Sequence, residues 1–168
     1  MAAIALELKK LLNGPPRLKL AVAESLTCGR VQAEIGAVSG ASDFFLGGIT
    51  AYSIDQKVEL LGVDRAAAKR VNCVSAAVAE QMARGASRLF GSDLAVATTG
   101  YAEPDAKADV EHPFAWWALA HRRRGRFVAV HSGRVECPGA KRTDAQAIVA
   151  AAALAELASY LRAWRNRA

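Results

Sequence analysis

Residues 20–61 read LAVAESLTCGRVQAEIGAVSGASDFFLGGITAYSIDQKVELL, and this stretch decides the fold. The apolar run Leu18–Ala23 predicts a buried strand, and the residues from about Thr27 to Val38 predict a helix after it. A loop at Ser39–Asp43 leads to a second strand at about Leu46–Tyr52, and Ile54–Leu60 then forms a short helix. Alternation of strands and helices is typical of α/β proteins with parallel strands.

The rest of the chain continues this alternation, and no linker or internal repeat divides it. The remaining predicted elements are a helix at Ile4–Leu12, a helical turn at Asp64–Arg70, a helix from the N-cap Ser75 to Phe90, strands at Leu94–Thr99, Phe114–Ala120 and Phe127–Ser132, and a helix at about Thr143–Trp164. The last two strands flank an arginine-rich turn and predict an antiparallel hairpin. The predicted fold is therefore α/β, a single domain over residues 1–168 with a mixed, mostly parallel sheet flanked by helices.

Composition places the chain among globular proteins. It has 168 residues, of which 52% are hydrophobic and 23% charged, enough for one well-formed core. No apolar run approaches the ~20 residues of a membrane-spanning helix. Residues 1–12 form an amphipathic pattern with Glu7, Lys9 and Lys10, unlike a signal peptide. A cytoplasmic location without membrane contact is the prediction.

Neither metal nor nucleic acid is indicated. Three cysteines without a C-x-x-C pair and three histidines without ligand spacing predict no metal site and no cofactor. The net charge of +6 lies largely in the arginines of residues 122–126 and the C-terminal tail. No recognition-helix or aromatic-interleaved pattern accompanies them, so a solvated surface is favoured over nucleic-acid binding. The expected partner is a small molecule.

Three polar residues near the first two strands suggest nucleophilic chemistry. Ser25 follows a strand and precedes a helix, where its hydroxyl is exposed beside a helix N-terminus. Lys57 is a candidate base if burial lowers its pKa, and Tyr52 is a candidate proton relay. Because parallel strands end at one edge of a sheet, these residues are expected to converge. Each also has a structural explanation, namely an N-cap for Ser25, an exposed helix lysine for Lys57 and strand-end packing for Tyr52.

The same residues carry a resemblance to a known family. The matching residues are Ala23–Thr27, Gly40–Ser42, Phe45–Gly48, Ala51–Ser53, Lys57, Leu61–Val63, Val74–Ser75, Met82–Ala83, Gly85–Ala86 and Thr99–Gly100. In these residues the chain resembles the C-terminal domain of the CinA proteins, the family of nicotinamide mononucleotide (NMN) deamidases. The resemblance runs from about Leu6 to Leu161 and weakens after Gly100.

The resemblance implies a catalytic set and a binding set. Ser25, Tyr52 and Lys57 match the family's catalytic residues. The implied substrate-binding residues are Glu24, Thr27, Gly48, Thr99, Gly100, and Lys141 or Arg142. From the residues alone, Glu24 either orients the site by hydrogen bonds or favours the helix N-terminus electrostatically. Thr99 either contacts the substrate or is an ordinary strand residue.

Three departures from the family lie in its second half. The loop Gly100–Pro113 lacks the family's glycines after Gly100 and carries Glu103 in place of one, with further acidic residues behind it. Such a loop is a poor cradle for phosphate. Direct alignment places Lys141 at the family's functional arginine and displaces Arg142 by one position, and lysine lacks the guanidinium fork. Finally, Trp116-Trp117 either narrows the pocket or packs against the neighbouring helices.

Three hypotheses follow from these patterns. The first is an amidohydrolase that resembles NMN deamidase and converts NMN and water to nicotinate mononucleotide and ammonia, a step of NAD salvage. The second is the same chemistry on another amide, and the third is a non-catalytic ligand-binding relative. Joint presence of a serine, a tyrosine and a lysine favours an enzyme. The long final helix, with Leu154, Leu157, Leu161 and Trp164, suggests a homo-oligomer.

Overall fold

The computed structural model describes residues 2–167. The helices are α1 (Ala2–Asn13), α2 (Arg30–Gly36), α3 (Ile54–Leu61), α4 (Arg65–Arg70), α5 (Ala76–Phe90) and α6 (Arg142–Arg165). The strands are β1 (Leu20–Glu24), β2 (Phe45–Thr50), β3 (Leu94–Tyr101), β4 (Phe114–Arg123) and β5 (Arg126–Glu136). All of them form one α/β unit, and the predicted alternation of strands and helices is confirmed.

The five strands form one mixed sheet in the order β2-β1-β3-β4-β5. β1 pairs in parallel with both β2 and β3, whereas β3 with β4 and β4 with β5 are antiparallel. The predicted hairpin closes through only two residues, Arg124 (φ 49°) and Gly125 (φ 80°). Positive φ at both central residues is the mark of the type I′ turn, whose twist suits a hairpin.

The two central parallel strands carry the same four residues in register. Leu-Ala-Val-Ala at residues 20–23 lies beside Leu-Ala-Val-Ala at residues 94–97. Because side chains alternate across a sheet, the leucines and valines face α1, α2 and α6, while Ala23, Ala95 and Ala97 face α5. The alanine face lets α5 pack closely, and the larger side chains fill the core on the opposite face.

Helix α6 is long and apolar enough, by length and composition, to cross a membrane. Eight of its residues are buried, among them Val149, Leu154, Leu157 and Leu161. Leu154, Leu157 and Leu161 pack in the core that lies between α1, α2 and the sheet, and Val149 packs in a smaller cluster with Leu26 and Cys137. The helix thus supplies one layer of the α/β fold.

The main local departure from the predicted elements is at α2. The helix begins at Arg30 and not near Thr27, because Cys28 (φ 51°) and Gly29 (φ 93°) adopt left-handed conformations in the turn that precedes it. β3 and the two hairpin strands are each longer than predicted. Residues 102–113 are irregular as predicted, apart from a 3-10 turn at Ala106–Ala108 and a bridge from Asp105 to Val110.

The two adjacent tryptophans of β4 point to opposite faces of the sheet. Trp117 packs against the core beneath α6, and Trp116 packs against the core beneath α5. Trp117 lies across Gly133 of the neighbouring strand, where a Cβ atom would come within 2.7 Å of the indole ring. Both tryptophans therefore pack against the core, as in the second of the two expectations.

Candidate functional site

Ser25 lies at the carboxyl end of β1, in the middle of the parallel part of the sheet. The residue follows Glu24, the last residue of β1, and its amide donates a hydrogen bond to the carbonyl of Thr98 on β3 at 3.0 Å. Only 7% of Ser25 is exposed. The strand end thus fixes the backbone of Ser25, while its hydroxyl faces the lysine described next.

Lys57 is buried and contacts Ser25 directly. It belongs to α3, is 2% exposed, and its Nζ lies 3.0 Å from Ser25 Oγ. The same nitrogen donates to the backbone carbonyl of Tyr52 at 3.1 Å. Burial lowers the pKa of Lys57 below its ordinary value of 10.5, and the nearby Cys73 acts in the opposite direction. A lysine with a lowered pKa beside a serine hydroxyl is suited to accept its proton.

A cleft of about 460 Å³ opens over this pair. The sequence-predicted residues Ser25, Tyr52, Lys57, Thr99 and Gly100 all line it. The other lining residues are Leu26, Ile54, Lys69, Asn72, Cys73, Val74, Tyr101 and Asp105. Sequence reasoning missed Lys69, Asn72 and Cys73, because they lie in and after α4, a segment without a chemical motif.

The cleft continues into a side arm of about 200 Å³. Tyr52 and Gly100 are common to both parts, and the side arm adds Glu103 and Arg142. Arg142 donates from Nη2 to the Tyr52 hydroxyl at 2.7 Å and from Nη1 to Glu103 Oε1 at 2.8 Å. Of the two basic residues before the last helix, Arg142 therefore lines the cleft, whereas Lys141 is an exposed residue at the helix N-cap.

Tyr52 differs from its expected role as a proton relay. Its side chain is 54% exposed, and its hydroxyl is bonded to Arg142. The contact with Lys57 is made by the backbone carbonyl of Tyr52. The phenol thus belongs to the side arm, and the main chain of the same residue orients the amine of Lys57.

Besides Lys141, three residues of the expected binding set lie outside the cleft. Glu24 is fully buried and its carboxylate accepts the amide N–H groups of Gly29, Val31 and Gln32, so it caps α2. The hydroxyl of Thr27 is buried at 2.7 Å from that of Thr98. At Gly48 an added Cβ would lie 2.6 Å from the Gln32 side chain, so this glycine allows α2 to approach β2. Glu24 and Thr27 thus hold the turn that carries Ser25, and Gly48 leaves room for the helix that follows this turn.

Capping by Glu24 also means that the N-terminus of α2 is not available to stabilise an oxyanion at Ser25. The first N–H groups of α2 are occupied by this carboxylate and do not face the cleft. Leu26, which directly follows Ser25, lines the cleft, and within residues 2–167 its amide N–H makes no hydrogen bond. This amide is the candidate donor for an oxyanion formed at Ser25.

A strained turn forms the wall of the cleft opposite Ser25. Asn72 (φ 45°) and Cys73 (φ 61°) are consecutive left-handed residues, a conformation that costs non-glycine residues about 1–3 kcal/mol each. The turn is held by the Thr99 hydroxyl, which donates to the carbonyl of Cys73 at 2.8 Å, and by Asn72 Nδ2, which donates to Tyr101 Oη. Thr99 thus positions the cleft wall through its hydroxyl.

Within residues 2–167, no three His, Cys, Asp or Glu side chains lie close enough together to hold a metal ion. The chemistry available in this part of the chain comes from the serine and lysine pair, the free amide of Leu26 and the polar side arm.

The sequence is similar to a known family over almost its full length. A family model for the CinA C-terminal domain matches residues 2–161. A CinA-like protein of Chlorobium limicola is 37% identical over 146 residues, which are 86% of this chain and 34% of that protein. A CinA-like protein of Shewanella baltica is 38% identical over 144 residues, which are 86% of this chain and 32% of that protein. The chain spans about a third of the length of these curated relatives.

Solved structures of similar proteins share the fold. The competence damage-inducible protein A (ComA) of Klebsiella pneumoniae superposes with a TM-score of 0.86 at 27% identity, over 97% of this chain and 98% of that chain. The competence/damage inducible protein CihA of Agrobacterium tumefaciens superposes with a TM-score of 0.80 at 26% identity, over 95% of both chains. The five-stranded α/β fold described above is the fold of these proteins.

Proposed function

Since the chain belongs to the CinA C-terminal domain family, we propose that it is an amidohydrolase with Ser25 as the nucleophile and Lys57 as the base. The substrate is a linear carboxamide, and NMN, which would yield nicotinate mononucleotide and ammonia, is the amide that the family resemblance implies and therefore the first to test. The observation that carries the proposal is the 3.0 Å contact between the buried Lys57 Nζ and Ser25 Oγ. Lysines are rarely buried in folded proteins. Activation of a hydroxyl would explain both the burial of Lys57 and its contact with Ser25.

The first half of the reaction forms an acyl-enzyme. Neutral Lys57 takes the proton of the Ser25 hydroxyl as Oγ attacks the carboxamide carbon. The carbon–nitrogen bond then breaks, and Lys57 returns the proton to the departing nitrogen, which leaves as ammonia. The carbonyl of Tyr52 holds one N–H of the amine, so that its lone pair can face Ser25. The amide of Leu26 stabilises the negative charge that develops on the carboxamide oxygen.

The second half of the reaction releases the acid. A water molecule attacks the ester carbon of the acyl-enzyme, and Lys57 accepts its proton. The bond from the carbon to Ser25 Oγ breaks, and the proton passes from Lys57 to that oxygen. The products of the full cycle are a carboxylic acid and ammonia, and both residues return to their starting states. No cofactor takes part in this scheme.

A second candidate is the same reaction on a different amide. The observation that favours it is the ion pair between Arg142 and Glu103 in the side arm. Glu103 already binds a guanidinium that would otherwise be suited to bind an anionic group of the substrate. The reaction mechanism at Ser25 is identical for either substrate. The activity of longer proteins that contain this domain is likewise a proposal, as are a cytoplasmic location and a homo-oligomeric state.

The test is ammonia release from NMN by the purified protein and by Ser25→Ala. We expect release by the parent, and a fall in kcat of at least about 1,000-fold in the variant, as when a serine nucleophile is lost. Ser39→Ala is the matched control, because Ser39 is exposed and outside the cleft. The proposal fails for NMN if the parent releases no more ammonia than Ser25→Ala. Equal activity of the parent and Ser25→Ala would exclude Ser25 as the nucleophile for this amide.

A further inference from the structure

We propose that Glu103 determines the substrate class, by placing its carboxylate beside Arg142 so that the cleft favours an amide without a phosphate group. The inference rests on the proposed amidohydrolase function and concerns the side arm that would receive the distal end of the substrate. It makes Glu103 a specificity-determining residue, and it makes an amide that carries a hydroxyl group in place of the phosphate the preferred substrate.

The contacts in the side arm carry the inference. Arg142 uses one terminal nitrogen for Glu103 at 2.8 Å and the other for the Tyr52 hydroxyl at 2.7 Å. A guanidinium recognises phosphate best when both of these N–H groups are available as a fork. Here each terminal nitrogen already donates one N–H to the protein, so a phosphate that binds these nitrogens competes with Glu103 and Tyr52 for the guanidinium.

The charges in the side arm point the same way. Asp105 lines it together with Glu103, so the side arm contains two carboxylates and one guanidinium. The carboxylate of Asp105 accepts the backbone N–H of Lys107, which does not neutralise its charge. A phosphate bound at Arg142 would therefore lie beside at least one carboxylate, and like charges a few ångströms apart repel. A neutral hydroxyl group, in contrast, would find a strong acceptor in Glu103.

The ion pair between Arg142 and Glu103 is too exposed for its own interaction energy to determine which substrate binds. The side chains of Arg142 and Glu103 are 45% and 61% exposed, and exposed pairs of this kind add little to stability. The effect of Glu103 therefore appears in the bound state, as repulsion of an anionic group. Since the arm is partly shielded from solvent, a discrimination of about tenfold is expected.

Lys69 provides the competing possibility. It lines the Ser25 part of the cleft, and among residues 2–167 it forms no ion pair. A phosphate held by Lys69 would lie outside the side arm and would be insensitive to Glu103. Substitution of Glu103 should therefore change the binding of a phosphate in the side arm and not of one at Lys69, which distinguishes the two locations.

The experiment compares NMN with nicotinamide riboside, which is the same amide without the phosphate. We expect the parent to show a higher kcat/KM for the riboside, measured by ammonia release. Glu103→Gln should raise the ratio of kcat/KM for NMN to that for the riboside by about tenfold. Glu111→Gln, a matched change at an exposed residue of the same loop, should leave the ratio within twofold. A parent that prefers NMN, or an unchanged ratio in Glu103→Gln, would overturn the inference.

Binding measurements keep this inference separate from the proposed function. Calorimetry with Ser25→Ala and with Ser25→Ala/Glu103→Gln gives the Kd of both ligands without turnover. If neither amide is hydrolysed but the double variant binds NMN about tenfold more tightly, the specificity inference stands while hydrolysis of these amides fails. If the double variant binds NMN no better than Ser25→Ala does, the inference is wrong, whatever the activity.

Discussion

At the scale of single residues, Lys57 is the least expected feature of this protein. Its ammonium group is almost fully buried, and its contacts at the amine are a serine hydroxyl and a backbone carbonyl. Neither partner carries a formal negative charge, so burial lowers the pKa of Lys57. The folded protein therefore binds this proton less tightly than the unfolded chain does, which means that the buried lysine costs stability.

Lys57→Met is expected to abolish hydrolysis and to raise the free energy of unfolding at pH 7 by about 0.5–2 kcal/mol. Because the pKa is lowered on folding, the unfolding free energy of the parent rises with pH between the lowered pKa and 10.5. The stability gap between variant and parent should therefore narrow from pH 7 to pH 10 in urea titrations. Lys10→Met, on the exposed side of α1, serves as the control. A variant less stable than the parent at pH 7 would show that the buried amine is net stabilising.

At the scale of helices and strands, the position of Lys57 depends on how closely α3 approaches α5. Gly85 of α5 lies against the last turn of α3, where a Cβ atom would come within 2.1 Å of the carbonyl oxygen of Leu61. Backbone atoms form this contact, so no side-chain rotation can relieve it. The small residue on α5 is thus a condition for placing α3, and with it Lys57, beside Ser25.

Gly85→Ala should lower the free energy of unfolding by about 1–3 kcal/mol, because the added methyl group forces α3 and α5 apart. It should also lower kcat/KM, since α3 carries Lys57. Denaturant titration and ammonia release measure the two effects. Gly36→Ala is the matched control, because an added Cβ meets no atom within 4 Å there and alanine is the better helix former. Similar stability of the two variants would contradict the close approach.

At the scale of the whole molecule, α6 connects the cleft to the opposite end of the fold. It begins at Arg142 in the side arm and ends at Arg165, about 35 Å away at 1.5 Å per residue. The guanidinium of Arg165 donates to the carbonyls of Leu11, Gly14 and Pro16 at and beyond the end of α1. The carbonyl of Leu11 lies in the last turn of α1, where helical partners are missing, and those of Gly14 and Pro16 lie beyond the helix. Arg165 donates to all three and so joins α6 to the end of α1.

Arg165→Met should lower the free energy of unfolding by about 1–3 kcal/mol, because it leaves these carbonyls without a donor. The kcat/KM for any hydrolysed amide should stay within twofold of the parent, since the site lies at the other end of α6. Thermal or urea unfolding and ammonia release test the two statements. Arg167→Met, an exposed change two residues further on, should affect neither quantity. A large loss of activity in Arg165→Met would show that α6 transmits changes along its whole length.

The sequence by itself determined the α/β class, the strands predicted at Leu18–Ala23 and Leu94–Thr99, and the helices with clear apolar faces, whereas the register of the two strands came from the structure. These features follow from the spacing of apolar residues within each segment, which contacts with distant segments seldom override. It also singled out Ser25 and Lys57, through residue type and resemblance. It was predictable that these two residues lie close together, because parallel strands end at the same edge of a sheet.

Only the tertiary structure decided which hydrogen-bond partners the polar side chains have. It assigned Glu24 to the start of α2, the Thr99 hydroxyl to the Asn72–Cys73 turn, and Arg142 to Tyr52 and Glu103. The partners of Arg142 lie 39 and 90 residues away in sequence. No local pattern encodes such pairings, because they depend on where an irregular loop and a helix start come to rest after the core has packed. The substrate preference of the cleft is therefore a property of the packed molecule.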